Sequence, residues 1–172
     1  MTERVLPTCP EAESAVLGAM LLDPEVIGEV THLLAPEDFH RPAFSQIFQA
    51  IVGCYEKGMA IDLLIVQEEL RKRGWLESTG GATTLAELAD AVPTSARTAH
   101  HAQLVKEKAV LRRLIRTAGE ILAEAYEAQE DAEVILDRSE QAIFGITRDR
   151  QAGEPSSIGE VLKETFDQLD RL

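Results

Sequence analysis

Leu104-Val-Lys-Glu-Lys-Ala-Val-Leu-Arg-Arg-Leu-Ile-Arg-Thr-Ala-Gly119-Glu-Ile-Leu-Ala-Glu-Ala-Tyr126 is the stretch whose reading decides the fold. Leu104, Val105, Leu111, Leu114, Ile115, Ala118, Ile121, Leu122 and Ala125 recur at helical spacing. The pattern begins near Ala96 and reaches Tyr126 with no proline and one glycine, Gly119. That is a helix of about 30 residues, or ~45 Å. Asp131 then offers a cap for a second long helix carrying Ile135, Leu136, Ala142, Ile143 and Ile146, ending near Ile146. Two such helices joined by a short polar connection form an antiparallel hairpin. A bare hairpin buries one face of each helix and needs a cover. Another subunit is favoured over the chain's own first hundred residues, which hold enough apolar stripes for a separate core.

Those first residues read as shorter helices separated by capping chemistry. Thr8-Cys9-Pro10-Glu11 offers a capping box, followed by Ala12, Ala15, Val16, Ala19 and Met20 at helical spacing. Asp23-Pro24 closes that helix and opens another with Val26, Ile27, Val30, Leu33 and Leu34. Pro36-Glu-Asp-Phe39 is a turn that drops Phe39 toward the core. A third helix follows Pro42 with Phe44, Ile47, Phe48, Ile51, Val52 and Tyr55, and Lys57-Gly58 ends it. Asp62 caps a fourth, with Leu63, Val66 and Leu70, that stops at Arg71-Lys-Arg-Gly74. Thr84-x-x-Glu87 opens a fifth after Gly80-Gly81, and Pro93 closes it. Alternating strand patterns are absent, so the fold class is all-α.

The expected organisation is a globular helical bundle over 1–95, the hairpin over 96–147 and a flexible polar linker over 148–157. A short amphipathic helix over 158–172 follows, with Ser157-x-x-Glu160 as its capping box. Its stripe of Ile158, Val161, Leu162, Phe166, Leu169 and Leu172 suits docking into a groove on a partner rather than folding back onto the hairpin.

Thirty acidic against seventeen basic residues give a formal net charge of −13. Such a chain repels phosphate backbones unless its cations cluster, and avoids anionic membranes. Cys9 and Cys54 form no C-x-x-C, and no signal peptide or membrane span is readable, so a reducing cytoplasm is the default. No P-loop, H-E-x-x-H or G-x-S-x-G occurs. His32, His40, His100 and His101 lack metal-ligand spacing. No catalytic residue, metal or cofactor is assigned to these 172 residues.

One cluster opposes the global charge: Lys106, Lys108, Arg112, Arg113 and Arg116. The plain reading pairs them with Glu107, Glu120 and the acidic second hairpin helix. The alternative is contact with an acidic neighbour or with passing DNA, for which interleaved aromatics are missing.

Taken together the sequence resembles the N-terminal domain and linker of bacterial replicative DNA helicases of the DnaB family. The resemblance rests on Glu11-Ala-Glu-Ser-Ala-Val-Leu-Gly-Ala-Met-Leu-Leu-Asp-Pro24, Leu34-Ala-Pro-Glu-Asp-Phe-His40 and Ile47-Phe-Gln-Ala-Ile51. Ile61-Asp62, Glu68-Glu-Leu70, Gly74-Trp-Leu-Glu77 before Gly80-Gly81, Val105 to Ile115, and Ala132-Glu-Val-Ile-Leu-Asp137 with Glu140 and Ile143-Phe144 continue it. His100-His101 depart from the tyrosines usual in that family, and Ile65 from its frequent threonine.

The resemblance implies a collar on a hexameric ring, with the hairpin pairing subunits and the collar recruiting primase. The subunit and primase interface is then expected at Leu114, Ile121, Leu122, Tyr126, Ile135, Leu136 and Ile143. Linker-helix docking on a neighbouring subunit's motor domain is expected at Ile158, Val161, Leu162, Phe166 and Leu169. ATP and magnesium would belong to a motor domain beginning after Leu172, and DNA would be contacted through the ring, little by these residues. Two other readings compete: the helicase-binding domain of a primase, and an unrelated helical adaptor or hydrolase.

Overall fold

Eight apolar or small residues between Pro10 and Leu22 leave helix α1 (Pro10–Leu22) without a polar face wide enough for solvent. Ala12, Val16, Leu17, Ala19, Met20 and Leu21 are all buried, so α1 is the central helix rather than one with a single core-facing stripe. The computed structural model describes residues 4–92 and 94–151, Arg150 and Gln151 by backbone alone. The expected linker helix and its docking residues Ile158, Val161, Leu162, Phe166 and Leu169 lie outside the described residues.

Around α1 pack α2 (Val26–Leu33), α3 (Pro42–Glu56), α5 (Gly81–Asp90) and the first part of α6 (Thr98–Glu127). Helix α4 (Leu63–Lys72) bridges α3 and α5, and α7 (Ala132–Gln151) packs against α6. Short 3-10 turns sit at Pro36–Asp38 and Ser95–Arg97. Every regular element among the described residues is helical.

Several local readings hold. The Asp62 carboxylate accepts from Ile65 N–H at 2.8 Å and starts α4. Gly58 and Gly74 take φ of +67° and +74°, the left-handed stops that end α3 and α4. Phe39 is buried against Phe48, with ring centroids 5.0 Å apart.

Others differ. The N-cap of α1 is Cys9, with no side-chain cap bond, so Thr8 makes no capping box. Proline in the first turn and Glu11 and Glu13 near the helix start perform that role instead. Thr84 lies inside α5, because the helix begins at Gly81, straight out of the left-handed Gly80. Tyr55 and Leu63 sit near the corner between α3 and α4 and remain partly exposed.

Helix α6 is continuous across two environments. Thr98, Ala102, Val105 and Ala109 are buried among the globule's helices, so the core takes its last residues from beyond position 95. After Ala109 no residue of α6 is buried. The chain then turns at Ala128–Asp131, where Ala128 adopts φ +45°, and returns as α7. Arg138 ties the returning helix to the turn through Glu124 and Glu130. Helix α7 runs to Gln151, four residues into the stretch read as linker.

Candidate functional site

The projecting half of α6 and all of α7 carry exposed apolar residues that a soluble helix pair would not keep without use. Leu111, Leu114, Ile115, Leu122 and Tyr126 on α6, and Leu136 and Ile143 on α7, are all more than two-fifths exposed. Half-buried Thr117, Ile121 and Glu124 mark the row of α6 turned toward α7, and Ile135, Ser139 and Ile146 the reciprocal row. At about 100° per residue, both exposed stripes are displaced in the same angular sense from these rows. The helices run antiparallel, so the two stripes lie on one side of the hairpin. They form a single apolar face, with the small residues Ala118 and Ala125 between the larger ones.

Of the residues expected at an interface, Leu114, Leu122, Tyr126, Leu136 and Ile143 stand on this exposed surface. Ile121 and Ile135 are half-buried along the α6–α7 contact rows. Leu111 belongs to the same face; Ile115 lies nearly opposite the α7 contact row and borders a recess against the globule. Phe144, 63% exposed, and Tyr126, 83% exposed, each lie nearly opposite the contact row of their own helix, at the outer edges of this face.

The basic cluster does something else. Asp38, in the turn before α3, has no exposed surface. Its carboxylate accepts from Ala35 N–H at 2.8 Å, from Lys106 Nζ at 3.1 Å and from Arg113 Nη2 at 2.6 Å. Arg112 donates to the carbonyl oxygens of Pro7 and Asp38 at 2.9 and 2.6 Å. Burial pushes the Arg112 pKa down from its ordinary value, with Glu13 and Asp38 pulling it back up. Arg113 Nη1 reaches Asp149 Oδ2 on α7 at 2.6 Å. Lys106, Arg112 and Arg113 are thus internal anchors that fix α6 on the globule; of the expected partners the second hairpin helix is met, through Asp149, and Glu107 and Glu120 are not. The sequence reading also missed Glu13, a buried acid whose Oε1 accepts from His40 N–H at 2.9 Å.

A shallow recess of about 330 Å³ lies among Leu6, Phe39, His40, Arg112, Ile115 and Arg116. Among the described residues no three His, Cys, Asp or Glu side chains converge as metal ligands. No described helix is long and apolar enough to cross a membrane. What the described residues offer is an apolar surface held at a fixed angle.

The described residues thus form a helical globule with an anchored, apolar-faced hairpin. Residues 5–107 match the family model of the DnaB-like helicase N terminal domain, and the chain belongs to that family. It is 40% identical over 171 residues to the replicative DNA helicase DnaB of Geobacillus stearothermophilus, covering 99% of this chain and 38% of that protein. It is 34% identical over 172 residues to the replicative DNA helicase DnaC of Bacillus subtilis (strain 168), covering all of this chain and again 38% of the relative. The chain therefore spans little more than a third of these relatives. Among solved structures it is similar to the N-terminal domain of DnaB helicase from Mycobacterium tuberculosis, with TM-score 0.79 and 36% identity, over 82% of this chain and 99% of that one. A DnaB-like replicative helicase described with its interactions with primase gives TM-score 0.63 at 26% identity, over 93% of this chain and 36% of that one.

Proposed function

We propose that this chain is the collar of a hexameric replicative DNA helicase, pairing subunits through its hairpin and recruiting primase in the cytoplasm. The observation that carries the proposal is the single apolar face shared by α6 and α7. Family membership over residues 5–107 supplies the context. A related helicase is described with its interactions with primase, which supports the second half of the reading. In this reading DNA unwinding, ATP and magnesium belong to a motor domain that the collar serves, and DNA meets the ring rather than this domain. The relatives named above are helicases, which favours a collar over the helicase-binding domain of a primase.

Self-association through this face accounts for residues that would otherwise expose several large apolar side chains to water. Each, already about half covered, contributes roughly 1 kcal/mol when the rest is buried, and several together work against the cost of association. The test is sedimentation of the purified chain alone and with the C-terminal domain of a primase. The proposal expects a self-associated species that shifts further on addition of primase. A monomer that binds nothing at high micromolar concentration contradicts it.

A further inference from the structure

We propose that Arg113 is a two-handed clasp that holds the last described turns of α7 to the globule. One guanidinium nitrogen lies 2.6 Å from Asp38 in the globule and another 2.6 Å from Asp149 in the last turns of α7. The positions are 75 and 36 residues away in sequence, so the contact joins three separate elements. Helix α7 otherwise packs on α6, and Arg113 supplies its polar link to the globule among the described residues.

The two halves of the bridge are unequal. Asp38 is wholly buried and also held by Lys106 and by a backbone N–H, so its half is permanent. The Asp149 side chain is 61% exposed, and a pair of that kind is weak and screened by salt. Arg113 can release Asp149 while keeping Asp38, without uncovering a buried charge. The last turns of α7 then rest on Ile146 and the remaining apolar row alone. The structure thus has a tight grip and a releasable one on the same side chain. The guanidinium meets the two carboxylates with separate nitrogens, whereas a lysine would have to serve both from one nitrogen on a shorter side chain.

Hydrogen exchange followed peptide by peptide on the chain tests it directly. Asp149→Asn is expected to speed exchange at residues 143–151 about two- to fivefold, with the globule's peptides unchanged. The melting temperature should stay within about 2 °C. Arg113→Lys keeps a cation against Asp38 and is expected to reproduce the same local acceleration. Raising salt from about 0.05 to 0.5 M should accelerate the wild type toward the variants and leave the variants unchanged. Unchanged exchange in Asp149→Asn overturns the clasp. So does acceleration in Asp149→Asn that Arg113→Lys fails to share, because Asp149 would then be held by another group. Acceleration across the whole chain overturns it as well, since it marks a general stabiliser. Exchange is compared at one dilute chain concentration, with the mass measured beside it, because Ile143 lies on the proposed association face; a lost clasp and a lost self-association are then read separately.

Discussion

Gly18 on α1 faces the backbone carbonyl of Leu88 on α5 so closely that a Cβ at position 18 would overlap it. The Val92 side chain closes the same gap. Glycine is used here for close approach of two helix backbones, and neither backbone can yield as a flexible side chain would. Gly18→Ala should therefore destabilise the domain by about 1–3 kcal/mol through forced separation of α1 and α5. Denaturant unfolding measures it. An unchanged midpoint would show that α5 moves freely.

Asp38 is the second point of tension. Lys106 and Arg113 are largely buried around it, so its removal leaves Lys106 without its carboxylate partner and Arg113 with only the exposed Asp149. Asp38→Ala should cost about 2–4 kcal/mol, more than an exposed pair could. Asp149→Ala, at the outer end of the same network, should change global stability by less than about 1 kcal/mol. Comparable losses at both positions would contradict the division between inner and outer halves.

Glu69 supplies a pH dependence. The hydrogen bond from Arg73, at 2.8 Å, together with Lys57, holds its carboxyl below its ordinary value, against burial that pushes it up. A carboxyl depressed in the folded state contributes stability that is present above the unfolded value, near 4.5, and lost as pH falls through the folded one. The stability difference between wild type and Glu69→Gln should be full at about pH 6 and shrink below about pH 4.5. Unfolding curves for the pair across that range check it. A difference that grows on acidification would reverse the sign.

Local chemistry was readable in the sequence where neighbours decide it. Asp62 before Leu63, Gly58 after Lys57 and the long uninterrupted pattern of α6 each carry their cause within one or two turns. Thr84 misled because a capping pattern recurs freely inside helices, and the left-handed Gly80 had already set the start. The purpose of the basic cluster was illegible for a different reason. Arg113 meets Asp38 across 75 residues, and no spacing rule announces a pairing made by the tertiary fold. The apolar stripes of the hairpin were legible, but not their common side. Only the α6–α7 packing shows that Leu122 and Ile143 share a face while Ile121 and Ile135 lie along the contact rows.

That distinction sorts the interface variants. Leu122→Glu and Ile143→Glu place charge on the exposed face and should change monomer stability by no more than about 0.5 kcal/mol while abolishing self-association. Ile135→Glu also unpacks α7 from α6, so it should lower the melting temperature as well. Thermal melts beside size measurements separate the two classes. Equal destabilisation by all three would mean that the exposed face is part of the chain's own core.

The central claim is that the hairpin face joins copies of this domain. Sedimentation equilibrium of the wild-type chain beside Leu122→Glu, over low to high micromolar concentrations, tests it most directly. The account predicts a concentration-dependent mass above the monomer for the wild type and a monomer for the variant. A wild type that remains monomeric throughout, or a variant that associates as the wild type does, would contradict it.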